Sequence, residues 1–243
     1  MCEYNTEKIN EEICELWKRH FGDNENVHMP MQYPALKKDA LLFVGLNPSF
    51  SDKFFSQLGK KMTSCQGIDH EEFYEWPRSK KYDPQKDYEI TKFAKEEYPY
   101  SRKFRDISKE LGMEWEHIDL FFNRCTSQKD SQKEFTRQKN KEDIELTEFA
   151  LKQIALSTRL ISEICPKIIV VANALASDIY LQYMKPEPDE LAGHHFTNIN
   201  GKKVPIFLAS MLTGQRAMDK YSLDRLTWHI KRAFGLHPGS SSD

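Results

Sequence analysis

Apolar positions recur along this chain with two alternating periods. From Thr6 to His20, Ile9, Ile13, Leu16 and Trp17 fall at helical spacing behind a threonine suited to cap them, which predicts an amphipathic opening helix. A short apolar run over 40–46 then reads as a buried strand that stops at Gly45. The alternation repeats as a strand over 117–122, a long helix over 143–164, a strand over 167–172 and a helix over 173–184. Strands alternating with helices predict a mostly parallel sheet covered on both faces.

The period changes near the C-terminus. Two β-type runs flank Asn200-Gly201, a strong hairpin signal, and add an antiparallel strand at an edge. A closing helix follows, with Ser222 as its expected cap and Leu223, Leu226, Ile230 and Phe234 on its apolar face, stopping at Gly235. The last residues, 236–243, read as a flexible tail. Between the first two strands, 51–116 is too long for a plain loop and is dense in aromatics; it predicts helices, the clearest over 101–111, and a lid over a site. With no repeat and no low-complexity linker, the expectation is one domain over 1–243: an α/β, three-layer α/β/α sandwich with a mostly parallel central sheet and an antiparallel edge hairpin.

Composition narrows the class. An apolar fraction of 39% over 243 residues is enough for a large core. No run of about 18 apolar residues occurs and the first helix is acidic, so a cytoplasmic protein without a membrane span is expected. The five cysteines are scattered and never spaced C-x-x-C, which predicts reduced thiols and no metal site. The net charge of −2 carries no global nucleic-acid signature. Residues 201–234 nevertheless hold seven basic groups against two acidic ones, either a face for a polyanion or solvated helix and strand positions.

The polar residues gather at expected strand ends. Gly45-Leu46-Asn47-Pro48, Asn123-Arg124-Cys125-Thr126, Asn173 and Ser210-Met211-Leu212-Thr213 would all lie on the edge of a parallel sheet where ligands bind. Asn-Pro is also a plain turn signal, and Asn173 also suits a helix cap. An amide offers a donor and an acceptor together, which suits the edge of a heterocyclic base better than a metal. There is no G-x-G-x-x-G, no P-loop and no G-x-S-x-G elbow. His194 and His195 are adjacent and would point to opposite faces of a strand, and His229 fits a helix surface.

The segments GLNPS (45–49), SRKFRDISKEL (101–111), LFFNRCT (120–126) and PKIIVVANALA (166–176) together resemble the uracil-DNA glycosylase superfamily, nearest its mismatch-specific branch at the first of them. That resemblance implies a DNA repair protein that hydrolyses the N-glycosidic bond of a flipped damaged or mismatched base, with DNA as partner and neither cofactor nor metal. It places Asn47 as the residue orienting the attacking water. Gly45, Leu46, Pro48 and Asn123 would surround the base, with Phe54 or Phe55 stacked on it. Ser49, Ser210, Leu212, Thr213 and Arg216 would meet the DNA, Leu212 as a wedge into the duplex. The chain departs from the pattern at Leu208, where the family keeps a His or Asn against the leaving base. Two other expectations stand beside this one: a non-catalytic nucleic-acid or nucleobase-binding module of the same fold, and a small-molecule enzyme of doubly wound type.

Overall fold

The computed structural model describes residues 2–24, 26–125, 127, 133–139, 143–214 and 216–235; Thr126 and the expected tail over 236–243 lie outside them. In chain order the main elements are α1 (Glu7–Phe21), β1 (Leu41–Gly45), α2 (Asp52–Lys61), α3 (Pro84–Glu96), α4 (Arg102–Leu111), β2 (Trp115–Asp119) and α5 (Glu148–Ile164). β3 (Ile168–Ala172), α6 (Ala174–Ile179), β4 (Glu187–Asp189), β5 (His194–Ile199), β6 (Lys202–Ala209) and α7 (Lys220–Ala233) complete them. The six strands form one sheet in the order β2-β1-β3-β6-β5-β4. The first four are parallel, and β5 and β4 add an antiparallel margin. The β5–β6 turn is made by Asn200 and Gly201, both at positive φ (50° and 78°), as a tight hairpin requires.

Alternation along the buried strands splits the core in two. Leu42, Val44, Ile169 and Val171 face one way and pack with Ile9, Ile13 and Trp17 of α1 and Leu160 and Ile161 of α5. Leu41, Phe43, Ile168 and Val170 face the other, against Phe104, Ile107 and Leu111 of α4 and Ile230 of α7. Helices therefore cover both faces, giving the three layers expected from the sequence. Among the described residues no helix is long and apolar enough to cross a membrane.

Several boundaries differ from expectation, each for a local reason. β2 occupies Trp115–Asp119 rather than 117–122. Leu120 and Phe121 still donate to the Gly45 and Leu46 carbonyls (3.1 and 2.9 Å), but the Phe122 N–H turns to Gln153 Oε1 at 2.7 Å and the ladder ends. The long helix expected from 143 begins at Glu148, capped by Thr147, whose hydroxyl accepts the Ala150 N–H. The residues before it, Ile144–Leu146, pair as a strand with Thr136–Lys139. Thr6 precedes α1 without capping it, because its hydroxyl donates to the Tyr33 carbonyl at 2.6 Å.

At α7 the cap is Asp219, not Ser222: its carboxylate accepts the N–H groups of Tyr221 and Ser222 and the Ser222 hydroxyl. Replacing a cap of this kind costs about 1 kcal/mol. Asp219→Ala should therefore lower the unfolding free energy by about that amount in a denaturant titration, and Ser222→Ala by less than half as much.

Candidate functional site

β1 and β2 run side by side and end together, with Gly45 opposite Asp119 in the register. A Cβ on residue 45 would lie 2.2 Å from Asp119 Oδ1 and 3.0 Å from His117 Nε2, so only glycine lets the Asp119 carboxyl sit over the end of β1. β2 is the outer strand on this side of the sheet, and both of its faces border a cavity of about 260 Å³. The wall opposite the strand comes from the 51–116 connection, chiefly Phe54, Phe55, Tyr74, Tyr98, Tyr100 and Phe104. That connection lines the cavity with its aromatic residues.

The polar groups of the cavity are unusual in their charge states. Burial pushes the Asp119 carboxyl up to about 8, opposed by the nearby Arg124 guanidinium. Its backbone N–H donates to the Tyr33 hydroxyl at 3.0 Å. His117 lies 3.9 Å from Asp119 and stacks on Phe104 with ring centroids 5.5 Å apart. Burial and the Lys95 charge push the imidazole down to about 4. Near neutral pH the pair is thus mostly a neutral acid beside a neutral imidazole. On the other face of β2, Glu116 is buried, accepts the Lys37 N–H at 3.1 Å and pairs with Lys95 at 2.8 Å.

A neutral carboxyl presents a hydroxyl donor and a carbonyl acceptor side by side, as an amide does. Between aromatic walls, this combination suits a flat heterocycle with a polar edge.

The asparagines expected to supply that edge have other employment. Asn47 Nδ2 donates to the Cys125 carbonyl at 2.7 Å, with the Asn123 and Pro48 carbonyls at 3.4 and 3.3 Å, and so ties the loop after β1 to the loop after β2. Asn123 Nδ2 donates to Glu134 Oε2 at 2.8 Å, while its Oδ1 is buried without a partner. Neither residue lines the cavity, whereas Pro48, Ser49, Phe54 and Phe55 do. Leu46 is buried in the core. Asn173 caps α6 by accepting the Ala176 N–H at 3.1 Å.

In the loop after β6, Ser210 and Arg216 are exposed, as a phosphate contact requires. Leu212 is only 2% exposed and packs with Phe104 and Ile230, so it is a core residue here and not a free wedge. Thr213 is buried, and its hydroxyl has no hydrogen-bond partner among the described residues. Leu208 lies within β6, opposite Val171, and packs against the core. The basic excess of the C-terminal third is partly spent: Lys202, Lys203 and Lys231 pair with Asp39, Asp189 and Glu110.

Asp119, His117 and Arg124 were not singled out from the sequence. The first two carried a signal, since His117 and Asp119 are two apart on a strand and therefore share a face. No protein-family model matches the chain, and no curated protein matches it.

The two shifted groups make stability pH-dependent in a specific way. Between about pH 4 and 6.5 the folded state holds a proton on Asp119 that the unfolded chain releases, and lacks one on His117 that the unfolded chain binds, so their slopes oppose. From about 6.5 to 8 only Asp119 counts, and stability falls by about 1.4 kcal/mol per pH unit at most. Denaturant melts should show a loss of about 2 kcal/mol across that window in the native protein and a flat profile in Asp119→Asn.

Proposed function

We propose that this chain is a uracil-DNA glycosylase-like repair protein that takes a base flipped out of DNA into the cavity over Gly45 and Asp119 and hydrolyses its N-glycosidic bond. The observation that carries this reading is the buried, largely protonated Asp119 carboxyl, which borders an aromatic-walled cavity at the end of the GLNPS strand. An extruded base needs stacking surfaces and a hydrogen-bonding edge, and pays for unstacking with them. Phe54 and Phe55 line the cavity, Phe55 with its ring already stacked on His70, and in this reading they flank the base while Asp119 replaces Asn123 as the group that reads the edge.

Asn47 lies one residue outside the cavity wall, and in this reading it orients the water from the rim of the cavity. Its Nδ2 is held by the 123–125 loop, and among the described residues its Oδ1 accepts no hydrogen bond. An amide oxygen can hold and orient a water but removes its proton poorly, so the reaction relies on stabilising the departing base. Ser210 and Arg216 are available to DNA phosphates.

A second reading, a nucleobase-binding module without turnover, is favoured by one observation: Leu208 sits inside β6 and packs against the core, leaving no donor at that position. Labelled duplexes carrying uracil, deaminated adenine or a G·T mismatch separate the two. The glycosylase reading expects alkali-labile breaks from at least one lesion, reduced about 100-fold or more in Asp119→Ala and in Asn47→Ala. Lesion binding without release would transfer the protein to the second reading, and neither binding nor release would end both. Arg216→Ala should weaken duplex binding equally for all sequences and lower the slope of log affinity against log salt by about 1.

A further inference from the structure

We propose that Arg124 is the group in this cavity that binds the carbonyl oxygen of a lactam-type base and takes up the negative charge the base acquires as it leaves the sugar. The proposal rests on the glycosylase reading and names the charge-stabilising residue of the same site. Arg124 borders the cavity that Asp119 occupies. Its side chain is 8% exposed, and its guanidinium carbon lies 4.0 Å from the centroid of the Tyr74 ring. A guanidinium carries five N–H donors and does not give up its charge.

Among the described residues none of these donors has a protein acceptor within hydrogen-bond reach. Nε is buried without a partner. Asp87 Oδ1 lies 3.8 Å from Nη2, close enough to feel the charge and too far for a hydrogen bond. Asp87 is already served by the Tyr74 and Tyr82 hydroxyls, which donate to its two oxygens at 2.6 and 2.8 Å. A purely structural role as counter-charge to Asp87 explains why a cation is here. It does not explain a buried Nε–H left without an acceptor, since an unsatisfied buried donor costs stability. An acceptor brought by a ligand does.

The neighbouring groups define that acceptor. Asp119 offers a donor and an acceptor, which match the C=O and N–H of a lactam. Arg124 offers donors only, which match an oxygen and reject an amino group. Together they select ring systems with oxo groups, such as uracil, over the amino-bearing edges of cytosine and adenine.

The same contact strengthens during the reaction. The electron pair of the C1′–N bond departs with the base as a lactam anion whose charge is shared by the ring nitrogen and the exocyclic carbonyl oxygens. Water forms the new C1′–O bond, and the proton it loses ends on the base. A guanidinium fixed beside the oxygen stabilises that anion more than the neutral base, which is the condition for raising rate as well as affinity. Arg124 thereby supplies the donor that Leu208 lacks.

Two variants test this. Arg124→Met removes the donors at similar bulk. Arg124→Lys keeps a counter-charge for Asp87 and loses the planar fork, so it serves if the first variant fails to fold in a thermal melt. Calorimetry with free uracil should give an affinity at least about tenfold weaker in both variants than in the native protein. In single-turnover excision, the maximal rate should fall about 100-fold or more with little change in the half-saturating concentration. The loss should be smaller for 5-fluorouracil as leaving base, because it carries negative charge more readily. Failure of the native protein to bind free uracil, or equal binding by both folded variants, overturns the proposal. Arg124-dependent uracil binding without excision of any lesion would overturn the glycosylase reading and the charge-stabilising role together, and leave only the contact of Arg124 with the base carbonyl standing.

Discussion

The Asp119 carboxyl lies against the bare backbone of Gly45, and the site depends on that contact. Two parallel strands end in register, and because one of them carries no side chain there, the other can lay an acid across the gap. The acid is then shielded by the sheet on one side and by the aromatic residues of the 51–116 connection on the other. Shielding raises its proton affinity, and a protonated carboxyl is a different recognition element from a carboxylate. The backbone geometry of a glycine is thus translated into the charge state of a binding group.

The surrounding polar groups follow from the same placement. Asn47 and Asn123 hold the loops that leave the two strands, the first by spanning to the Cys125 carbonyl and the second by engaging Glu134. These braces keep Pro48, Ser49 and Arg124 at the cavity wall. Buried polar atoms without partners cost free energy, and Arg124 Nε and Asn123 Oδ1 are both such atoms. Gln153 Nε2 and Thr213 Oγ1 share this condition, and of the four residues only Arg124 borders the cavity.

The sheet, its parallel order and its edge hairpin were legible because each rests on local signals: apolar runs of strand length, helical spacing between them, and Asn200-Gly201 at a turn that demands positive φ. The crevice at the strand ends followed from the sheet. Which residues point into it did not. Asn47 is one residue from the cavity wall yet faces the neighbouring loop, a difference that depends on where β2 stops. The apolar run 120–122 hid that stop, since Phe122 stays buried in the core beside Tyr33 while its N–H leaves the ladder for Gln153. Leu212 was equally ambiguous, because a leucine in a polar loop can stand free or fill a core, and here it packs under Phe104.

The central claim is that Asp119 holds its proton at neutral pH in a cavity shaped for a base. Its carboxyl can be followed directly by carbon-13 NMR of labelled aspartate, assigned by comparison with Asp119→Asn. The expected result is a titration midpoint near 8 that moves higher when free uracil fills the cavity. A midpoint near 4, unchanged by uracil, would contradict it.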